Sequence, residues 1–275
     1  MDLTSWRRVS YLYSDSSGKL DDKPKNQRRY IPFITGISAS IESHLNRNIE
    51  SKARTEYFDI VPGQVQFFVS SYPISTLTSM KTDSTSLFSG SETTETNIFT
   101  GPNNDSVVLD TPSTPAIKGL QVVYTGGMAS HGTQSQFILS TEAGTVIAVG
   151  NYVMGGNSRA VGYVISKVST AITIEVLYGR FIVDETITPS TTEDGDAITG
   201  ASAVLASREV ESLAESNPDI VLACEIELMY GERHKTDLEN GGTSKGQTNR
   251  ADYTQDYDLQ PQVRKILEKY IHYSL

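Results

Sequence analysis

The side chains best able to do chemistry are few and scattered. His44, His131, His234 and His272 have no second ligand at metal spacing. His44 and His272 fall on expected helices, where a surface or partly packed imidazole is the ordinary reading. Glu193, Asp194 and Asp196 around Gly195 could bind a hard cation, since carboxylates clustered on a tight turn suit calcium. Their spacing matches no known calcium loop, and a solvated acidic turn is the simpler reading. Glu142, Glu175 and Glu185 could supply a carboxylate pair for glycoside hydrolysis, though almost any β domain offers such a list. There is no Gly-x-Ser-x-Gly elbow and no phosphate-binding glycine loop ending in Lys-Ser/Thr. Thr243-Ser244-Lys245-Gly246 runs in the wrong order and follows no strand.

The single cysteine, Cys224, excludes an internal disulfide and a multi-cysteine metal site. Its neighbours place it on the buried side of a helix, as a packed thiol rather than a nucleophile. The net charge of −10 disfavours general binding to nucleic-acid backbone, which depends on Lys and Arg displacing counterions. Such a charge suits ordinary solubility, and also a wall past which DNA slides without sticking. The pairs Arg7-Arg8 and Arg28-Arg29 could meet acidic partners or DNA, with a solvated helix flank as the default. Asn104-Asp105-Ser106 fits a glycosylation triplet, read as chance beside an N-terminal stretch, MDLTSWRRVSYLYSD, that lacks the apolar core of a signal peptide. No apolar run approaches the length of a membrane span. The expectation is a soluble protein made in a cytoplasm, with no enzyme activity, no cofactor and no metal.

The elements that would carry these residues are legible from periodicity. In residues 30–60 apolar side chains fall at Phe33, Ile34, Ile37, Ile41 and Leu45, one stripe of a helix, with Ser38, Glu42, Ser43 and Asn46 on the other side. After Asn48 the period changes, and Thr55, Tyr57 and Ile60 belong to a strand that ends at Pro62-Gly63. A first helix is expected over residues 2–13, capped by Thr4 or Asp2. Residues 14–25 read as a polar loop. Residues 65–69, 74–81 and 117–124 read as strands, and 97–110 as a hairpin. Residues 82–96 read as a mobile loop or long hairpin arm. Between residues 128 and 216 five short β-rich runs (137–139, 145–149, 160–166, 172–177 and 181–188) are separated by Gly-rich turns, with 188–200 as a return loop. Their spacing of roughly ten residues points to a small all-β sandwich or barrel. Asn217-Pro218-Asp219 is a helix start. The helix carries Ile220, Val221, Cys224, Leu228 and Met229. Residues 237–258 read as a polar loop or arm, and 261–273 as a last helix bearing Val263, Ile266, Leu267, Tyr270 and Ile271.

The pattern Ile41, Leu45, Arg47, Ile49, Tyr57, Phe58 and Asp59 resembles the head–tail connector (adaptor, or head completion) proteins of tailed bacteriophages. In that family a helix ending in Leu-x-Arg-x-Ile precedes an extended Thr-x-Tyr-Phe-Asp and a Pro/Gly turn. Pro73, Ile74 and Leu77, and then Leu120, Val122, Tyr124 and Gly127, extend the resemblance. It covers residues 1–127 and 216–275 and leaves 128–215 as an inserted all-β domain. Gly156 to Gly162, Gly179, Phe181 and Glu185 to Ile187 in that insert resemble β modules of phage virion proteins. The expected class is therefore α+β: a helical core made of a long N-terminal helix and a C-terminal helix pair, a β region, and an inserted small all-β sandwich or barrel.

The resemblance implies a structural virion protein of the neck, between capsid and tail. Identical subunits, typically about twelve, would close into a ring through head-to-tail contacts. The ring would dock on the portal protein and extend the DNA channel without sequence-specific binding. It would also offer a platform to the next neck or tail protein (a stopper, tail terminator or tail tube), with no membrane involved. Arg47, Tyr57, Pro261, Val263, Ile266, Leu267, Tyr270 and Ile271 are the candidate interface residues. The alternative is a carbohydrate- or surface-binding accessory protein acting through the insert, which requires an exposed aromatic patch from Tyr152, Tyr163 and Tyr178.

Overall fold

The structure, a computed structural model, describes residues 1–13, 24–90, 92–143, 147–191, 201–239 and 259–271. In chain order the elements are α1 (Trp6–Tyr13), α2 (Pro24–Leu45), β1 (Lys52–Ile60), β2 (Gln66–Phe68), β3 (Ile74–Thr82), β4 (Thr93–Thr94), β5 (Ile98–Thr100), β6 (Ser106–Leu109) and β7 (Ala116–Gly126). There follow β8 (Gln134–Ala143), β9 (Tyr152–Gly155), β10 (Val161–Val168), β11 (Ala171–Tyr178), β12 (Thr186–Ser190), β13 (Ser202–Val210), α3 (Leu213–Ser216), α4 (Pro218–Glu239) and α5 (Pro261–Leu267), the last running into a 3₁₀ turn at Glu268–Tyr270. They group into two compact units: one from Met1–Leu45 and His131–Ile271, the other from Asn46–Ser130.

In the first unit six strands close into a barrel in the order β10-β11-β8-β13-β12-β9, all neighbours antiparallel. Closure leaves no strand edge in the ring. Alternating residues fill the interior with Phe137, Val164, Ile172, Ile174, Ile187 and Leu205. Gly162 sits where a Cβ would come within 2.3 Å of Ile174 Cγ2, so only glycine allows β10 to lie this close to β11. The helices add a smaller cluster, with Trp6 stacked on Tyr30 at 4.4 Å and Val9, Ile34 and Leu228 beside them. α2 and α4 run antiparallel, since Ile34 meets Leu228 while Ser38 Oγ lies 3.9 Å from Cys224 Sγ.

In the second unit a four-stranded sheet, β1-β7-β3-β4, and a three-stranded sheet, β2-β6-β5, enclose a core of Ile60, Phe67, Met80, Val107, Leu120, Val122 and Tyr124. Gly127, at φ +127°, turns the chain out of β7 where a Cβ would meet the Glu50 backbone at 2.5 Å.

This architecture corrects the expected α+β class with a helical core. Strand residues outnumber helical ones among the described residues, so the fold is mostly β, organised on a closed six-stranded barrel rather than on an N-terminal helix. The stripe on α2 is present only in part: Ile34, Ile41 and Leu45 are buried, whereas Phe33 stays exposed and Ser38, expected outside, is buried. Helical period reports that a helix has an inner face; it does not report where the main core lies. The two compact units divide at 45/46 and 130/131.

Several element boundaries also move. β9 lies in a stretch read as turn, β13 in one to which no element was assigned, and residues 181–185 form a turn rather than strand. Ser5, not Thr4 or Asp2, caps α1, its hydroxyl accepting from the Arg8 N–H at 3.1 Å. Pro24 and Lys25 belong to α2. The acidic group Glu193, Asp194 and Asp196, the segment 240–258 of the second arm, Thr243-Ser244-Lys245-Gly246 and His272 lie outside the described residues.

Candidate functional site

The charged residues that could have served chemistry are consumed in internal clamps. Arg8 is buried on α1. Its Nε donates to Glu225 Oε1 at 2.6 Å, and its Nη1 donates to the carbonyls of Val176 and Leu177 at 3.1 and 3.0 Å. The same Glu225 oxygen accepts from the Thr4 hydroxyl at 3.0 Å. A hydroxyl on a carboxylate resembles a nucleophile with its base. Here both partners are buried and the carboxylate is committed to a guanidinium, so the arrangement fastens α1 to α4 and β11. Arg7 Nη1 reaches Glu175 Oε2 at 2.5 Å, and its guanidinium carbon sits 3.8 Å from the centre of the Tyr163 ring.

Glu185 and Glu215 hold turns. Glu185 accepts from the N–H groups of Asn157, Ser158 and Ile182 and from the Ser158 hydroxyl, at 2.7–3.2 Å. Glu215, at the end of the short α3, accepts from Ser135 Oγ, from the Phe181 N–H at 2.8 Å and from Arg208 Nη2 at 3.3 Å. Burial pushes the Glu215 carboxyl above its ordinary value, against the pull of Ser135, Arg208 and the Phe181 N–H. Of the glycosidase list, then, Glu175 is ion-paired and Glu185 fully hydrogen-bonded. Burial also pushes the Cys224 thiol up to about 12, which leaves it unreactive at neutral pH.

A cavity of about 410 Å³ in the first unit is lined by Asp2, Trp6, Arg7, Ile34, His131 and Glu175 among others. It brings His131 to the same hollow as Glu175, but that carboxylate already belongs to Arg7. Among the described residues no group of three or more His, Cys, Asp or Glu could hold a metal ion, and no helix is long and apolar enough to cross a membrane.

The expected interface residues divide. Arg47 is buried: its Nη2 donates to the Tyr72 carbonyl and its guanidinium carbon lies 3.7 Å from the Tyr72 ring centre. Burial lowers the Arg47 pKa, with Tyr72 opposing the shift. Tyr57 is exposed and tilts against Phe88 at 5.4 Å. On the last helix Val263 and Leu267 are buried, Pro261 is exposed, and Ile266, Tyr270 and Ile271 are half-buried. α5 packs against α4, where the Gln260 N–H meets Glu227 Oε2 at 3.0 Å and Lys269 pairs with Asp219. The aromatic trio is not one platform. Tyr152 and Tyr163 pack edge-on at 5.1 Å beneath Arg7, while Tyr178 stands exposed on its own strand end.

What the surface does present is apolar. α4 exposes Leu222 and Tyr230, at i and i+8, with the half-buried Ile226 between them. α2 carries the exposed Ile31 and Phe33, and the second unit exposes Leu87, Ile117 and Tyr57. Sequence reasoning missed Leu87 and Ile117, because an isolated aliphatic in a polar run gives no periodic signal. No family model matches the chain, and no curated protein matches it.

Proposed function

We propose that the chain is a structural, non-enzymatic subunit that assembles with copies of itself into a ring at the neck of a tailed-phage virion. There it acts as a head–tail adaptor on the portal vertex. The observation that carries this reading is a division of labour among the side chains. Buried charges are spent on internal clamps, while large apolar side chains stand exposed on α2, on α4 and around Leu87. Exposed patches of this kind mark interaction surfaces. The motif Ile41, Leu45, Arg47, Ile49, Tyr57, Phe58 and Asp59 supplies the kind of assembly. The corrected fold removes the helical core that the resemblance implied, so the reading rests on that motif and on the surface. The charge of −10 fits a conduit wall that DNA passes without adhering.

The test is the mass of the purified chain, alone and mixed with portal rings or with virions lacking it, followed by electron microscopy of what forms. A ring, or added density beneath the portal, is the expected result. A monomer that ignores portals overturns the reading.

A further inference from the structure

The hollow beside the start of α1 has walls of fixed backbone. Residues 131–134 form one side, and three backbone bonds anchor it. The Leu213 N–H donates to the His131 carbonyl at 2.9 Å, the Ala214 N–H to the Gly132 carbonyl at 2.8 Å and the Val176 N–H to the Thr133 carbonyl at 2.7 Å. Gly132 passes so close to the N-terminal stretch that a Cβ would come within 2.1 Å of the Asp2 carbonyl oxygen. Thr35 Oγ1 donates to Asp2 Oδ1 at 2.9 Å, which ties the facing side to α2. The cavity's volume, about 410 Å³, falls within the range of small-molecule pockets, roughly 300–1,000 Å³. A site whose walls are already fixed loses little freedom when a ligand enters.

Polar groups of both kinds are left over in this cavity. Glu175 is 4% exposed; its Oε2 is taken by Arg7, while Oε1 has no partner among the described residues. Asp2 engages only Oδ1. On the donor side, Arg7 uses Nη1 alone in hydrogen bonding, and the side chains of His131 and Gln134 make no hydrogen bond among the described residues. Trp6 and Ile31 add apolar surface. An ammonium ligand would suit the carboxylates but face the Arg7 guanidinium, and a carboxylate or phosphate would face Glu175 and Asp2. A hydrocarbon would strip water from the Glu175 oxygen and leave it unpaired. A hydroxyl both donates and accepts, so neighbouring hydroxyls on one ring can donate to Glu175 Oε1 and accept from Arg7. We infer that the cavity binds a neutral sugar ring through Glu175, Arg7, His131 and Gln134, with Trp6 and Ile31 against its C–H groups. The site is distinct from the surfaces invoked for assembly and does not depend on that reading.

Trp6 lies in the cavity wall, so its fluorescence reports occupancy in the full chain. Glucose, galactose, mannose, rhamnose and N-acetylglucosamine are titrated to about 100 mM, beside ethylammonium chloride and sodium acetate. At least one sugar should give a saturable change with a dissociation constant on the order of 1 mM, and neither salt should. His131→Ala and Gln134→Ala should each weaken that sugar about fivefold or more, the worth of one hydrogen bond. Their urea midpoints should match the parent, because neither side chain belongs to a clamp. Val168→Ser, at the exposed end of β10, should bind as the parent does. Absence of saturation by every sugar would overturn the assignment, as would saturation by either salt in their place. Binding that both alanine variants leave intact would put the sugar elsewhere and overturn this site. None of these results alters the mass or portal association by which ring formation is judged.

Discussion

Replacing Arg8 by alanine would take away one side of a buried ion pair. Glu225 would keep only the Thr4 hydroxyl, and the carbonyls of Val176 and Leu177 would lose their donor. Removing one partner of such a pair costs about 3–5 kcal/mol, because the remaining charge stays desolvated. The lost carbonyl bonds are not simply additive, since the groups share one network. About 4 kcal/mol is therefore expected, which for a unit of this size lowers the melting temperature by roughly 8–16 °C. Trp6, the chain's one tryptophan, lies on α1 two residues from Arg8 and reports this unit's transition by fluorescence in urea or heat. A second variant separates clamp from contact. Arg8→Met with Glu225→Leu removes both charges at similar volume, and should recover stability to within about 1–2 kcal/mol of the parent. The reasoning fails if Arg8→Ala shifts the Trp6 transition by less than about 1 kcal/mol, a surface-residue effect. It also fails if the double variant is no better than the single one, since the cost would then come from lost packing.

Glu215 gives a pH prediction. Its folded pKa is raised by burial, so its contribution is fully present below the ordinary carboxylate value and is lost as pH rises through the folded pKa. Glu215→Gln should gain stability relative to the parent as pH climbs from about 4 to 7, measured by urea midpoints at each pH; a flat difference would contradict the shift. Cys224, with its thiol near 12, should react with maleimide at neutral pH only as fast as the protein opens. Labelling that outruns amide exchange in α4 would show the thiol to be accessible. Gly127→Ala places a Cβ 2.5 Å from the Glu50 backbone at a φ that disfavours side chains. It should cost about 2–4 kcal/mol in denaturant unfolding of the second unit, and a cost under about 0.5 would mean that the turn shifts freely.

Local signals in the sequence were strong where one residue type does one job. Pro218 opens α4 at the position its dipeptide indicates, and the Gly-Pro-Asn-Asn-Asp turn joins β5 to β6. Partnership was not legible. Glu175, Glu185, Glu215 and Glu225 look alike along the chain, and only tertiary approach from residues as distant as Arg7 and Arg8 decides what each does. Helical periodicity in α2 drew attention to a helix as the organiser, because the period of one long element outweighs several short strands that each carry little signal. Ser38 shows the limit of the pattern: a small polar residue is buried where Leu3 donates its N–H to the hydroxyl at 3.0 Å. β13 was invisible for a related reason, since Ser202–Val210 mixes Ser, Ala, Arg and Glu, and its burial comes from pairing with β8 and β12.

The distribution of charge and apolar surface constrains the proposal more than any single residue does. A monomer optimised for solubility places carboxylates outside and aliphatics inside. This chain has ample acid, yet Glu175, Glu185, Glu215 and Glu225 are turned inward to bind N–H groups, hydroxyls and guanidiniums. Leu87, Ile117, Val168 and Tyr178 are left in the open. The clamps hold the first unit together without using its surface, which lets that surface serve contacts between molecules. Chains with exposed apolar side chains and a common negative charge stay apart until local concentration overcomes the repulsion. Assembly should therefore rise with salt, the opposite of a contact built on opposite charges. Sedimentation of the parent chain between about 0.05 and 0.5 M salt would read this directly, and oligomers that dissolve as salt rises would place the binding energy in ion pairs rather than in apolar contacts.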